Sequence, residues 1–189
     1  MSKLIYADLN RCIDCRACEV ACQREHNQSN PKSQIPNLKS NMWVVLVEDR
    51  FAVPLSCRHC EKAPCVTACY TEALISAEDG TIAFDAAKCT GCGLCLFACP
   101  FAVVGFDWSG KVIHKCDLCA ERLAEGKPPA CVVTCPTQAL RYDEYEAFTQ
   151  EAKRRAALEM VRAMAPSSEK GSSPSTSLRT GPTVLGVRR

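Results

Sequence analysis

The sequence predicts an α+β chain in which short β-hairpins alternate with cysteine-rich loops, followed by a C-terminal helix and a disordered tail. Three observations lead there. Sixteen of the 189 residues are cysteine, and they fall into four blocks of four: Cys12 to Cys22, Cys57 to Cys69, Cys89 to Cys99, and Cys116 to Cys135. Short apolar runs rich in Val, Ile and aromatic residues stand between the blocks, as strands do. Aromatic residues make up only 6% of the chain. A large carbon core is therefore not expected, and metal–ligand bonds are the candidate for the missing cohesion.

In chain order, residues 4–7 read as a strand leading into block one. Residues 27–39 are polar, carry Pro31 and Pro36, and read as an insertion loop. Trp43–Val47 and Phe51–Leu55, separated by Glu48-Asp49-Arg50, read as a hairpin before block two. Residues 81–84 form a short strand before block three. Residues 103–106 and Val112–His114 read as another hairpin before block four. The segments Thr71-Glu72-Ala73-Leu74 and Thr137-Gln138-Ala139-Leu140 follow the last cysteine of blocks two and four, and their near identity argues for duplication of a small module. Residues 143–165 read as a helix that Asp143 caps and Pro166 stops, with Tyr145, Phe148, Ala152, Leu158, Val161 and Met164 as a broken apolar stripe for packing on its own domain or, as the alternative, for docking a partner. Residues 166–189, rich in Ser, Thr, Pro and Gly, read as disordered.

Sixteen cysteines in an exported chain would suggest disulfides. The start, Met1-Ser2-Lys3-Leu4-Ile5, shows neither an apolar signal region nor a twin-arginine motif. No apolar run approaches the ~20 residues of a membrane span. The expectation is a soluble, cytoplasmic protein with reduced thiols. The formal net charge of +2 counts every thiol as neutral. A cubane [4Fe–4S] core with four thiolates carries roughly −2, so the surplus of Lys and Arg reads as compensation. No basic stripe interleaved with aromatics is present, and no nucleic-acid partner is expected.

Block one is Cys12-x2-Cys15-x2-Cys18-x3-Cys22, and block three is Cys89-x2-Cys92-x2-Cys95-x3-Cys99 followed by Pro100. The second is the full bacterial-ferredoxin run, in which three cysteines on a tight loop wrap one [4Fe–4S] cluster and the fourth reaches another. Gly91 and Gly93 permit close backbone approach, so that amide N–H groups can meet cluster sulfur. Block two, Cys57-x2-Cys60-x4-Cys65-x3-Cys69, and block four, Cys116-x2-Cys119-x11-Cys131-x3-Cys135, keep the opening and closing spacings with a widened middle. Gln23 and Tyr70 stand where blocks three and four have Pro100 and Pro136, a change expected to alter local turns without removing a ligand.

Zinc is the competing metal, since Cys-x2-Cys pairs occur in zinc ribbons. Ribbons separate such pairs by ~15–20 residues, which leaves four repeats of a closing Cys-x3-Cys unexplained. A redox dithiol needs one Cys-x-x-Cys in a thioredoxin-like setting, and no such unit is visible. His26, His59 and His114 read as polar residues near the metal, with His59, between Cys57 and Cys60, able to donate to a cluster sulfur. No catalytic triad, paired-carboxylate signature or phosphate loop stands out, so no catalytic residue is named.

The four-block order, the phrase Cys57-Arg58-His59-Cys60-Glu61-Lys62-Ala63-Pro64-Cys65-Val66, and Lys115-Cys116-Asp117-Leu118-Cys119 with Pro129-Ala130-Cys131-Val132 and Cys135-Pro136-Thr137 carry a family likeness. Residues 3–142 resemble the four-cluster electron-transfer subunits of the dimethyl sulfoxide reductase and formate dehydrogenase family. They are similar also to the iron–sulfur subunits of formate hydrogenlyase, carbon monoxide dehydrogenase and tungsten aldehyde oxidoreductases. The resemblance implies two pseudo-twofold-related bacterial ferredoxin-like modules over residues 1–142, with block one paired to block four and block two to block three. It implies four [4Fe–4S] clusters with interlocked ligands. Cluster 1 takes Cys12, Cys15, Cys18 and Cys135, and cluster 2 takes Cys116, Cys119, Cys131 and Cys22. Cluster 3 takes Cys57, Cys60, Cys65 and Cys99, and cluster 4 takes Cys89, Cys92, Cys95 and Cys69. The implied role is non-catalytic electron transfer between a catalytic subunit and a second redox subunit or a ferredoxin. The catalytic partner is expected to be a molybdenum or tungsten pterin enzyme acting on formate or an aldehyde. Carbon monoxide dehydrogenase or hydrogenase partners, a free polyferredoxin, and a zinc-stabilised interaction module are the alternatives.

Overall fold

The computed structural model describes residues 3–28, 40–108 and 110–164. Most of the expected insertion loop and the whole C-terminal tail lie outside the described residues. Eight strands and six helices follow in the order β1 (Lys3–Ala7), α1 (Ala17–Gln28), β2 (Trp43–Val47), β3 (Phe51–Leu55), α2 (Pro64–Thr67), β4 (Leu74–Ser76), β5 (Ile82–Phe84), α3 (Leu94–Ala98), β6 (Gly105–Asp107), β7 (Val112–His114), α4 (Ala120–Ala124), α5 (Ala130–Thr134), β8 (Leu140–Glu144) and α6 (Tyr145–Met164). The strands form four separate antiparallel pairs, β1 with β8, β2 with β3, β4 with β5, and β6 with β7.

These pairings tie the blocks together two by two. Strand β1 enters block one and pairs with β8, which leaves block four. Strand β5 enters block three and pairs with β4, which leaves block two. The two junctions match in detail. Asp8 N–H donates to the Ala139 carbonyl at 2.8 Å, and Asp85 N–H donates to the Ala73 carbonyl at 2.8 Å. Each Asp then turns the chain with its own side chain, Asp8 accepting from Asn10 N–H and Asp85 from Ala87 N–H. The first cysteine follows four residues after either Asp, at Cys12 and Cys89.

Two buried cores result, and cysteine is part of both. Ile5, Cys18, Cys22, Met42, Val44, Cys116, Leu118, Cys131 and Leu140 belong to the first, which gathers blocks one and four. Ala63, Cys65, Leu74, Ile82, Cys95, Val104 and Ile113 belong to the second, which gathers blocks two and three. Cys57 packs against the first core although the rest of its block packs against the second.

Each opening Cys-x2-Cys is shaped by the same dihedral choice. The residue two after the first cysteine lies in the left-handed region in all four blocks: Asp14 (φ 55), His59 (φ 45), Gly91 (φ 69) and Leu118 (φ 60). At Gly91 glycine is demanded by space as well, since a Cβ there would sit 2.2 Å from the Lys111 carbonyl oxygen. The close approach predicted at Gly91 thus exists, with the turn before β7 as the neighbour. Three residues after the closing cysteine, Glu72, Ala102 and Gln138 are again left-handed. Tyr70 in place of Pro leaves that turn intact in block two. Block one differs: with Gln23 after Cys22, α1 runs on to Gln28. The C-terminal helix begins later than expected. Asp143 caps nothing and instead pairs with Leu4 in the β1–β8 ladder, because the strand pattern runs through Glu144. Helix α6 leans on its own domain at one end, where Phe148 stacks on Tyr6 at 4.4 Å and Arg155 bonds Asp8 at 2.7 Å. Tyr145, Leu158, Val161 and Met164 of the expected stripe remain exposed.

Candidate metal centres

In two places three cysteines of one block line a concavity with the closing cysteine of another, as expected for sets 1 and 4, the ligands of clusters 1 and 4. Set 1 lines a concavity with Cys12, Cys15, Cys18 and Cys135, beside Val44 and Leu140. Set 4 lines a second with Cys69, Cys89, Cys92 and Cys95, beside Phe84 and Ile113. Both concavities span about 310 Å3, open solvent at the mouth included. In set 2, burial first and then the charges of Cys116, Cys119 and Cys22 raise the Cys131 thiol. In set 3, burial and the charges of Cys57 and Cys99 raise both Cys60 and Cys65.

Cysteines of different sets also act on one another electrostatically. Beyond burial, Cys18 of set 1 acts on Cys131 of set 2, Cys57 of set 3 on Cys116 of set 2, and Cys65 of set 3 on Cys95 of set 4. The two exposed cysteines, Cys15 and Cys92, belong to sets 1 and 4, and sets 2 and 3 contain none.

Burial makes the uncoordinated thiols reluctant to ionise. It pushes Cys18 and Cys95 up to about 11 and Cys116 up to about 12. Two closing cysteines behave oppositely. At Cys69 burial acts upward, but the Thr71 hydroxyl and the N–H groups of Leu74, Ala73 and Thr71 outweigh it and lower the thiol. At Cys135 burial is likewise outweighed, by Leu140 N–H, the Thr137 hydroxyl and Ala139 N–H; Ala139 N–H donates to its Sγ at 3.2 Å. The duplicated Thr-x-Ala-Leu segments are therefore thiolate-stabilising turns. Further donors reach sulfur from Asn41 N–H to Cys22 at 3.3 Å and from Leu118 N–H to Cys116 at 3.4 Å.

The donor set fits an iron–sulfur cluster better than a single ion. Zinc bonds of about 2.3 Å in a tetrahedron draw four sulfurs to roughly 3.8 Å of one another. Among the described residues, the only three ligand atoms within 4.8 Å of one another come from His26, Asp117 and Cys119, and no three cysteine sulfurs do so. Thiolate quartets this open, ringed by amide donors, suit a larger sulfide-bridged group.

The histidines divide. His26 lies 3.9 Å from Cys119 Sγ and 3.4 Å from Asp117; bonding to Cys119 and Cys22 raises it to about 11 against its burial. His114 Nδ1 meets Asn41 at 2.8 Å. His59 is buried, accepts Ile82 N–H at Nδ1, and leaves Nε2 without a hydrogen bond; burial and the Lys115 charge lower it to about 4. Sequence reasoning quoted Lys115, Thr71 and Thr137 without giving them a role at the metal, and it passed over the Asp8/Asp85 turns. The repeated Asp8-x-x-Arg11-Cys12 and Asp85-x-x-Lys88-Cys89 spacing was the available signal for the last.

The chain is similar to known iron–sulfur proteins. Residues 48–145, which include blocks two to four, match the family described as a 4Fe-4S dicluster domain. The chain is 43% identical over 141 residues to the oxidoreductase UacF of Escherichia coli, covering 75% of this chain but only 21% of that relative. It is 42% identical over 142 residues to the thiosulfate reductase electron transfer subunit PhsB of Salmonella typhi, covering 71% of this chain and 72% of the relative. It is 34% identical over 157 residues to a formate dehydrogenase iron–sulfur subunit of Wolinella succinogenes, covering 71% and 78%. With its cysteine sets and these relatives together, the chain belongs to the 4Fe-4S dicluster family and is an iron–sulfur electron-transfer protein, non-catalytic on its own.

Proposed function

We propose that the chain holds four [4Fe–4S] clusters, one in each thiol set, and serves as the electron relay of an oxidoreductase complex. The ligands are Cys12, Cys15, Cys18 and Cys135; Cys116, Cys119, Cys131 and Cys22; Cys57, Cys60, Cys65 and Cys99; and Cys89, Cys92, Cys95 and Cys69. Bound clusters of this kind accept and release one electron at a time. The observation that carries the reading is the pair of concavities that each gather three cysteines of one block with the closing cysteine of another, and the electrostatic links between sets support a row 1–2–3–4 with an exposed cysteine at either end. Such a row connects two surfaces and leaves its middle shielded from solvent. The matched strand junctions and turns support two modules related by a pseudo-twofold axis.

The partner at one end is a catalytic subunit, most simply a molybdenum or tungsten pterin enzyme acting on formate or an aldehyde. The identity to PhsB gives thiosulfate reduction equal standing. Carbon monoxide dehydrogenase and hydrogenase remain further candidates. At the other end stands a second redox subunit or a ferredoxin. Among the described residues no helix is long and apolar enough to cross a membrane.

Anaerobic purification with iron and sulfide analysis tests the cluster count. About sixteen irons and sixteen labile sulfides per chain are expected for four cubane clusters. A colourless, zinc-rich sample overturns the reading. A lasting complex with a large redox subunit is expected, and a stable monomer of 20.6 kDa counts for the free polyferredoxin instead.

A further inference from the structure

Lysine is almost never fully buried without compensation, because its ammonium gives up strong hydration. Lys115 is 5% exposed and is the single buried Lys, Arg, Asp or Glu among the described residues. Its Nζ donates to the Cys116 carbonyl at 2.9 Å and to the Ile82 carbonyl. Among the described residues it enters no ion pair. Two carbonyl dipoles restore only part of the lost hydration, so the position calls for negative charge close by.

The surroundings supply it. Lys115 directly precedes Cys116 of set 2, while Ile82 belongs to the core that holds Cys65 of set 3. The same Ile82 offers its N–H to His59 Nδ1 at 2.9 Å, and His59 stands between Cys57 and Cys60. An Nδ1 that accepts leaves the ring proton on Nε2, so this imidazole is neutral. Arg58 faces Cys57 and Cys60 but is only half-buried, and Asp117 and Asp79, the acidic groups near His59, are exposed. The one fully buried charge at the junction of the two cores is therefore the Lys115 ammonium.

We infer that Lys115 is the counter-charge of the two central clusters, a positioning residue whose ammonium, locked between Ile82 and Cys116, holds the reduction potentials at sets 2 and 3 above the values a neutral residue would allow. The inference rests on the four-cluster reading. Reduction adds negative charge to a cluster. A fixed cation in a low-dielectric setting favours the reduced state, and its influence falls with distance. Sets 1 and 4 lie one place further along the row in each direction and feel it less.

The test uses the full chain, purified anaerobically with any subunit that accompanies it. Iron and sulfide analysis of the unaltered protein comes first, and fewer than four clusters there would refute the underlying reading by itself. Potentiometric titration followed by electron paramagnetic resonance then compares the unaltered protein with Lys115→Gln and Lys115→Arg. Gln keeps a donor for the carbonyls without the charge, and Arg keeps the charge. In Lys115→Gln, two couples are expected to lose about tenfold in reduced-to-oxidised ratio at fixed potential, a shift of about 59 mV downward for one electron. The other two hold their values, and Lys115→Arg matches the unaltered protein throughout. Four unmoved couples in Lys115→Gln, or four moved equally, would overturn the inference. Should Lys115→Gln fail to retain iron, a fully loaded Lys115→Arg with unaltered potentials supports the charge. Loss of iron from both variants shows a purely structural residue and overturns it.

Discussion

Gly91 offers a measurement of how tightly the backbone is wound around the cysteines of set 4. Gly91→Ala faces two costs. Its φ of +69 places an L side chain in the left-handed region, about 1–2 kcal/mol. Its Cβ would also lie 2.2 Å from the Lys111 carbonyl oxygen and 3.0 Å from the carbonyl carbon. Those are main-chain atoms of a turn that itself carries a left-handed residue, Lys111 at φ 51, so they cannot swing aside as a flexible side chain would. Such overpacking adds about 1–3 kcal/mol, for a total of about 2–5 kcal/mol. Gly93→Ala is the matched control, because it has φ +75 and nothing within 4 Å of its Cβ. It should cost only the dihedral share, about 1–2 kcal/mol. At 2–4 °C per kcal/mol for a domain of this size, the midpoint of cluster bleaching on anaerobic heating should fall by about 4–20 °C for Gly91→Ala and about 2–8 °C for Gly93→Ala. Equal losses from the two variants would refute the claim that the Lys111 carbonyl, rather than the dihedral alone, demands glycine at position 91.

Three further outcomes are expected. Cys22→Ser should damage the cluster of set 2 and spare that of set 1, although Cys22 closes block one; spectra showing the set 1 cluster lost would refute the exchanged ligation. Iron and sulfide uptake by the metal-free chain should strengthen as pH rises from 7 toward 9 and release protons. Iron binds thiolate, while burial holds Cys18 and Cys95 near 11 and Cys116 near 12, so each ligand must give up a proton that rising pH makes easier to remove; uptake independent of pH, measured with proton release, would contradict this. Phe97→Glu, five residues along the chain from exposed Cys92 and itself 91% exposed, should leave iron content unchanged and slow reduction by the partner at that end at least tenfold in stopped-flow measurements; an unaltered rate would remove this face from the docking surface.

Much of this protein was legible in local sequence because its determinants are local. The Trp43–Val47 and Phe51–Leu55 hairpin, read from two β-rich runs about three polar residues, stands with the expected bounds. The Thr-x-Ala-Leu echo after Cys69 and Cys135 marked a duplicated turn, and both turns present N–H groups to sulfur. The start of α6 was misread because a plausible cap at Asp143 says nothing of a strand partner 139 residues away, and Leu4 holds Asp143 in β8. The apolar spacing of α6 predicted packing, yet most of that stripe stays exposed, since its anchorage is Phe148 on Tyr6 and Arg155 on Asp8 at one end only.

The sequence by itself determined the chemistry. Cysteine spacing is a property of a short loop, so Cys-x2-Cys openings and Cys-x3-Cys closings specify thiolates that can wrap a metal–sulfide group wherever the loop ends up. What only the tertiary structure decided is which thiols stand together. The meeting of Cys22 with block four and of Cys99 with block two depends on β1 finding β8 and β4 finding β5, long-range pairings that no local window encodes. The burial of Lys115 between them has the same origin. A lysine beside a cysteine reads as a surface charge until two cores close over it, and from then on its charge acts through protein rather than through water.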